Sequence, residues 1–165
     1  MQFNVEWLKQ WVAIDPDAER LAARLTAAGL EVDDMRPVAG VFSDVVVAEI
    51  EACAAHPDAD KLRVCTVNDG GAERLQIVCG APNARPGIRV PLARVGAVIG
   101  PDFRIRKAKL RGVESFGMLC SAKELGLSDD HAGLMELPGD APLGQDFRAF
   151  LQLDDHVIEV DLTPN

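Results

Sequence analysis

Between residues 45 and 110 the chain falls into short apolar runs separated by turn chemistry, and this punctuation constrains its fold more than any other feature. The runs read VVVAEIEAC (45–53), LRVCTVN (62–68), ERLQIVC (73–79), IRVPLARVGAVI (88–99) and FRIRKAKL (103–110). Asp69-Gly70-Gly71, Gly80 through Asn83, and Arg85-Pro86-Gly87 separate them. Runs of this kind predict strands, and several at this spacing predict a sandwich or small barrel. Pro91 has no N–H to give a ladder, so an edge or bulge is expected there. Residues 133–137 are expected to add a last strand that closes the barrel, and SAKELG (121–126) a turn or two of helix.

The flanks have a different texture. Asn4 is placed to cap a helix over 5–12 carrying Trp7, Leu8 and Trp11. Asp15 and Pro16 suit the N-cap and first position of a second helix, in which Leu21, Ala22, Leu25 and Ala28 recur at helical spacing up to Gly29. Residues 30–38 read as a short strand, and Asp146 as the cap of a helix carrying Phe147, Phe150 and Leu151. Residues 157–162 alternate as a half-buried strand with no partner downstream. The first forty residues cannot bury a core alone, so that strand's partner is expected among them. The expected organisation is an all-β domain at 40–148 between two halves, 1–39 and 149–165, of a small α/β unit, which the ending Thr163-Pro164-Asn165 would truncate.

Charge bounds the function. A net charge of −9 repels a polyanion at long range, so any nucleic-acid contact must be local. The one concentrated basic stretch is Arg104, Arg106, Lys107, Lys109 and Arg111. As a strand it has no cleanly apolar face, which implies a bulge or register change near Lys107. About four phosphate contacts there would give a log–log salt slope of roughly −3. The same run serves equally as a charged edge strand that blocks sheet-to-sheet aggregation. Stacking contributes little, because the chain has no Tyr and its aromatic content is 5%.

Catalytic and metal chemistry find no footing in the residue pattern. His56, His131 and His156 have no second ligand at metal spacing, and no nucleophile elbow or P-loop is present. The neighbouring acids Asp33-Asp34, Asp129-Asp130 and Asp154-Asp155 point apart and suit turns and caps. Cys53, Cys65, Cys79 and Cys120 are spread singly through apolar runs and read as reduced, buried side chains. The N-terminus is too short and too polar for a signal peptide or membrane span, so a cytoplasmic protein without membrane contact is expected.

Three blocks carry a family resemblance: His56-Pro57-Asp58-Ala59-Asp60-Lys61-Leu62; Ile77 through Asn83; and Lys109 through Ser115 with Gly117-Met118-Leu119-Cys120-Ser121. In this order they resemble the tRNA-binding OB-fold of bacterial phenylalanyl-tRNA synthetase β subunits, of some methionyl-tRNA synthetases and of free-standing tRNA-binding proteins. The flanks, Trp7-Leu8 with Trp11-Val12, residues 28–32, residues 124–131 and the closing Thr163-Pro164-Asn165, are similar to the β subunit. The resemblance implies a mainly β chain with an α+β flank, its five-stranded OB barrel inserted in the small, truncated α/β unit.

It also implies a parent enzyme, a class II synthetase assembled as α2β2, that uses ATP and Mg²⁺ to join phenylalanine to tRNA(Phe). Catalysis would belong to the α subunit, so no catalytic, cofactor or metal site is expected within 1–165. The implied RNA-binding candidates are Arg104, Arg106, Lys107, Lys109, Arg111, Ser115 and Phe116. Phe116 departs from the small or polar residue expected in that block. A bracing OB module with little tRNA contact, or a free-standing tRNA-binding protein, remains the alternative.

Overall fold

The computed structural model describes residues 1–14 and 17–162. Asp15 and Pro16, the expected start of the second helix, lie outside the described residues. In chain order the elements are β1 (Gln2–Asn4), α1 (Val5–Lys9), α2 (Ala18–Ala27), β2 (Val32–Pro37), β3 (Phe42–His56), β4 (Ala59–Asn68), β5 (Leu75–Cys79), β6 (Arg89–Ile99), β7 (Phe103–Arg104), β8 (Ala108–Leu110), β9 (Val113–Ser115), β10 (Gly117–Leu119), α3 (Phe147–Leu151) and β11 (His156–Val160). The chain is mostly β, its paired strands antiparallel and its helices few and short. None of the helices among the described residues is long and apolar enough to cross a membrane.

Backbone contacts divide the chain into two units, one of Met1–Ala39 with the segment from Gln152 on, the other Gly40–Leu151. In the first, the tail strand β11 lies between β1 and β2, so the last described strand is the middle of a three-stranded sheet. Ile158 and Val160 on β11 pack with Val5 and Leu21, the inward residues of α1 and α2. The Asp17 carboxylate caps α2 by accepting from the Arg20 N–H at 2.8 Å. Asn4 makes no side-chain cap on α1. Its place is taken by buried Asp155, which accepts from the Glu6 N–H at 3.2 Å and from the His156 N–H at 2.7 Å.

The second unit is built on one sheet in the order β10-β6-β3-β4-β5, with β7 paired to β6 and β8–β9 a separate hairpin. Alternate residues face its core: Val46, Ala48 and Ile50 from β3, Cys65 and Val67 from β4, Ile77 and Cys79 from β5, Val90 and Leu92 from β6. No ladder joins the edge strands β5 and β10 among the described residues, but the chain entering β10 is tied to β5. Phe116 donates its N–H to Gln76 O at 2.9 Å. Gly117 opens β10 at φ 149°, and a Cβ there would stand 2.9 Å from the Ala93 carbonyl, so the close approach of β10 to β6 requires glycine.

Several expected elements take another form. Residues 133–137 supply a single bridge, Leu137 to Arg89, in place of a closing strand. Asn83 takes the backbone groups of Leu134, accepting from its N–H at 2.8 Å and donating to its carbonyl at 3.0 Å, while Met135 and Leu137 donate to Cys120 O and Arg89 O. SAKELG forms hydrogen-bonded turns, fixed where Glu124 Oε2 accepts from the Ser121 N–H and hydroxyl at 2.6 and 2.9 Å. Pro91 lies fully buried in a strand with neighbours on both sides. Its partner Val47 sends its N–H to Gln145 and accepts from Gly144, so the β3 side asks no N–H of Pro91. On the other side Pro91 lies one residue past the last β10 pair, Leu119–Leu92, where Cys120 O accepts from Met135 instead, so the expected edge exists locally.

Candidate nucleic-acid interface

The basic run is two pieces. Arg104 ends β7, paired with Val98 of β6. Ile105 then turns inward, 4% exposed, exchanging backbone bonds of 2.8 Å with Gly96 and Ala97. The run is thus broken by a gap between β7 and β8 that spans Ile105, Arg106 and Lys107, where a bulge or register change near Lys107 was expected. The chain leaves β6 at Arg106 and returns as the β8–β9 hairpin, with Ala108 opposite Ser115, Lys109 opposite Glu114 and Leu110 opposite Val113.

The hairpin turn is Arg111-Gly112, with φ of 45° and 86°. Positive φ at both central residues is the mirror-image turn whose twist suits a two-residue hairpin. It holds Arg111 at the tip, in a backbone region that non-glycine residues enter at a cost of about 1–3 kcal/mol. His56 pins the base of this turn. Asp58 N–H donates to His56 Nδ1 at 3.0 Å, so Nε2 carries the hydrogen and donates to Leu110 O at 2.9 Å. The H-P-D-A-D motif thus fastens the β3–β4 turn to the basic hairpin.

Of the seven candidates, Arg104, Arg106, Lys107, Lys109 and Arg111 are exposed. Arg104 donates to Gly96 O at 3.3 Å. Lys107 is engaged twice, with Glu114 Oε1 2.8 Å from its Nζ and the Phe116 ring centroid 4.8 Å away. Its hydrogen bond holds the Glu114 carboxyl below the usual carboxylate range. Arg106, Lys109 and Arg111 make no salt bridge among the described residues. Arg111 does share a recess with Asp58, Asp60 and Lys61, where the charges are mixed.

Ser115 behaves differently. It is buried, and its hydroxyl accepts from Val78 N–H at 3.1 Å and donates to Gly117 O at 3.2 Å. That chemistry clips β9 to β5 and leaves no free donor for a ligand. Phe116 is half-buried beneath Lys107, a cation–π partner rather than an open stacking platform.

A cleft of about 470 Å³ runs beside these residues, lined by Phe103, Arg104, Arg106, Leu110, Ser115 and Met118 among others. Phe103, 57% exposed, is the aromatic surface that the candidate set missed. Its signal in the sequence was its position at the head of the basic run. An apolar floor with guanidinium groups on the rim accommodates a base and its phosphate together. A second recess, about 690 Å³, is lined by Cys79, Lys123, Glu124 and His131 among others. Among the described residues no group of three or more metal-ligating side chains occurs.

A family model described as "Putative tRNA binding domain" matches residues 45–146. Over all 165 residues the chain is 59% identical to proteins named phenylalanine–tRNA ligase beta subunit from Pseudomonas fluorescens (strain Pf0-1) and from Pseudomonas putida (strain KT2440), covering 21% of each. It therefore spans about a fifth of the length of these curated relatives. Among solved structures, a MetRS related protein from Pyrococcus horikoshii superposes with a TM-score of 0.46 at 22% identity, covering 62% of this chain and 86% of that one. The C-terminal domain of Plasmodium vivax p43 gives 0.45 at 20%, covering 62% and 57%. Both values are too low to bear on the argument. Because the family model covers more than half of the chain, including the whole basic hairpin, this chain belongs to the tRNA-binding-domain family.

Proposed function

We propose that this chain serves as the tRNA-contacting module of a phenylalanine–tRNA ligase β subunit. The observation that carries the reading is identity of 59% sustained along its whole length to two such subunits. The β8–β9 hairpin and the cleft beside it supply a surface of suitable chemistry. Arg104, Arg106, Lys109 and Arg111 contact phosphates, with Lys107 joining them when RNA competes with Glu114. Phe103 offers apolar surface to bases, Phe116 joins it when RNA draws Lys107 off its ring, and Ser115 acts indirectly by holding β9.

In this reading residues 40–148 are a five-stranded OB barrel set between 1–39 and 149–165, two halves of a small α/β unit. The whole enzyme is an α2β2 assembly in the cytoplasm. Its α subunit uses ATP and Mg²⁺ to charge tRNA(Phe), and these residues support that reaction without performing it.

The test is the affinity of labelled tRNA(Phe) for the chain at about 50 and 200 mM salt. With about four phosphate contacts, affinity falls by close to two decades between those conditions. A second reading, a bracing module with little RNA contact, is favoured by the Lys107–Glu114 pair and the acidic residues beside Arg111. Absence of binding at the lower salt, with recovery of the α subunit on the immobilised chain, would establish it in place of the first.

A further inference from the structure

One side-chain cluster stands apart from the RNA face. Sheet register sets Cys53 of β3 directly opposite Cys65 of β4, and their Sγ atoms are 3.0 Å apart. Residues opposite each other on antiparallel strands have Cα atoms about 4.5–5.5 Å apart, within the range of about 4.4–6.8 Å that a disulfide spans. Closing to the bonded distance of about 2.05 Å moves the sulfurs by only about 1 Å, with no strand displaced. The two thiols differ in access. Cys65 is completely buried, whereas Cys53 is partly exposed and open to a reagent from solution.

We propose that Cys53 and Cys65 form an oxidisable thiol pair that closes reversibly to an intrachain disulfide on reaction with a small-molecule disulfide such as oxidised glutathione. The Cys53 thiolate attacks one sulfur of the oxidant, forms a mixed disulfide and releases one thiolate. Cys65 then bonds to Cys53 Sγ and displaces the second thiolate, which takes up the Cys65 proton as it leaves. In sum, two protein thiols and one oxidant disulfide become one protein disulfide and two small thiols, with two electrons passing to the oxidant.

Burial pushes the Cys65 thiol up, and neighbouring Cys53 adds to the effect. The second step is therefore the slower, and the mixed disulfide on Cys53 appears first. Cys79 on β5 is the competing thiol. It is buried, and its sulfur already accepts from the Ala81 N–H at 3.4 Å.

The experiment treats the folded full chain with oxidised glutathione and reads intact mass, then maps tryptic peptides without reduction. The expected product has lost about 2 Da, for the two hydrogens removed, and regains them with dithiothreitol. Trypsin cuts at Lys61 and Arg63, so the bridge appears as two linked peptides. Cys53→Ser and Cys65→Ser each abolish it, Cys65→Ser traps glutathione on Cys53, and Cys79→Ser leaves the bridge intact. The wild-type peptide map stands without the variants, should one of them fail to fold. The proposal is overturned if the folded chain keeps its mass while the unfolded chain oxidises under the same treatment, or if the bridge maps to Cys79.

Discussion

Ser115 shows how one hydroxyl can hold a site together without belonging to its surface. Its partner, the Val78 N–H, lies at the sheet edge facing β9 and has no other acceptor there. Ser115→Ala leaves that buried donor unsatisfied, at an expected loss of about 1–3 kcal/mol in urea unfolding. A loss of RNA affinity with unchanged stability would instead mean that the hydroxyl touches ligand. The five basic residues were legible from sequence because charge requires exposure. Ser115 was not, because a serine in a signature block reads alike whether it faces solvent or a neighbouring strand. His56 was hidden for the same reason: its partner, the Leu110 carbonyl, is 54 residues away.

At the level of the element, the β8–β9 hairpin carries both the positive charge and its own brake. Glu114 ties up Lys107, so Glu114→Gln frees one cation and removes one negative charge. RNA affinity should rise several-fold and the salt slope steepen by close to one contact, about 0.7–0.9. The pair also has a pH signature. Glu114 is held below its usual value of 4.5, so its stabilisation is complete above that pH and is lost as pH falls through the lower, folded value. The pair is exposed and the effect correspondingly small. With the intrinsic slowing of exchange at lower pH divided out, hairpin protection factors should fall on acidification in the wild type and not in Glu114→Gln; an equal fall in both would contradict the pairing.

The strands were readable as short apolar runs: β3 is buried continuously over Val45–Ala48 and β5 over Ile77–Cys79, while β4 alternates at Cys65 and Val67. Residues 133–137 misled because the same apolar pattern packs Leu134 into the core while the Asn83 side chain takes Leu134's backbone bonds, leaving only isolated backbone bonds at Met135 and Leu137.

Across the whole molecule, sequence ends do not respect unit boundaries. The tail strand β11 is central to the sheet of the first unit, between β1 and β2. Its alternation was visible in the sequence, and the lack of downstream partners directed it back to the N-terminal residues. Asp155 as a long-range cap was not visible, because it acts on a helix 149 residues away. Ending the chain after Leu151 removes that strand and cap together. Hydrogen exchange should then show β1, β2 and α1 unprotected while β3 through β6 keep their protection. Collapse of protection throughout would contradict a core in β3 through β6 that holds without the tail.

In the proposed function a locally basic hairpin overcomes the repulsion of a chain with net charge −9 and receives tRNA. Amide chemical-shift mapping of the labelled chain with tRNA(Phe) tests it most directly. The expected shifts cluster over residues 103–118 and at His56, and fade as salt rises. Shifts confined to other parts of the chain, or none at low salt, would contradict it.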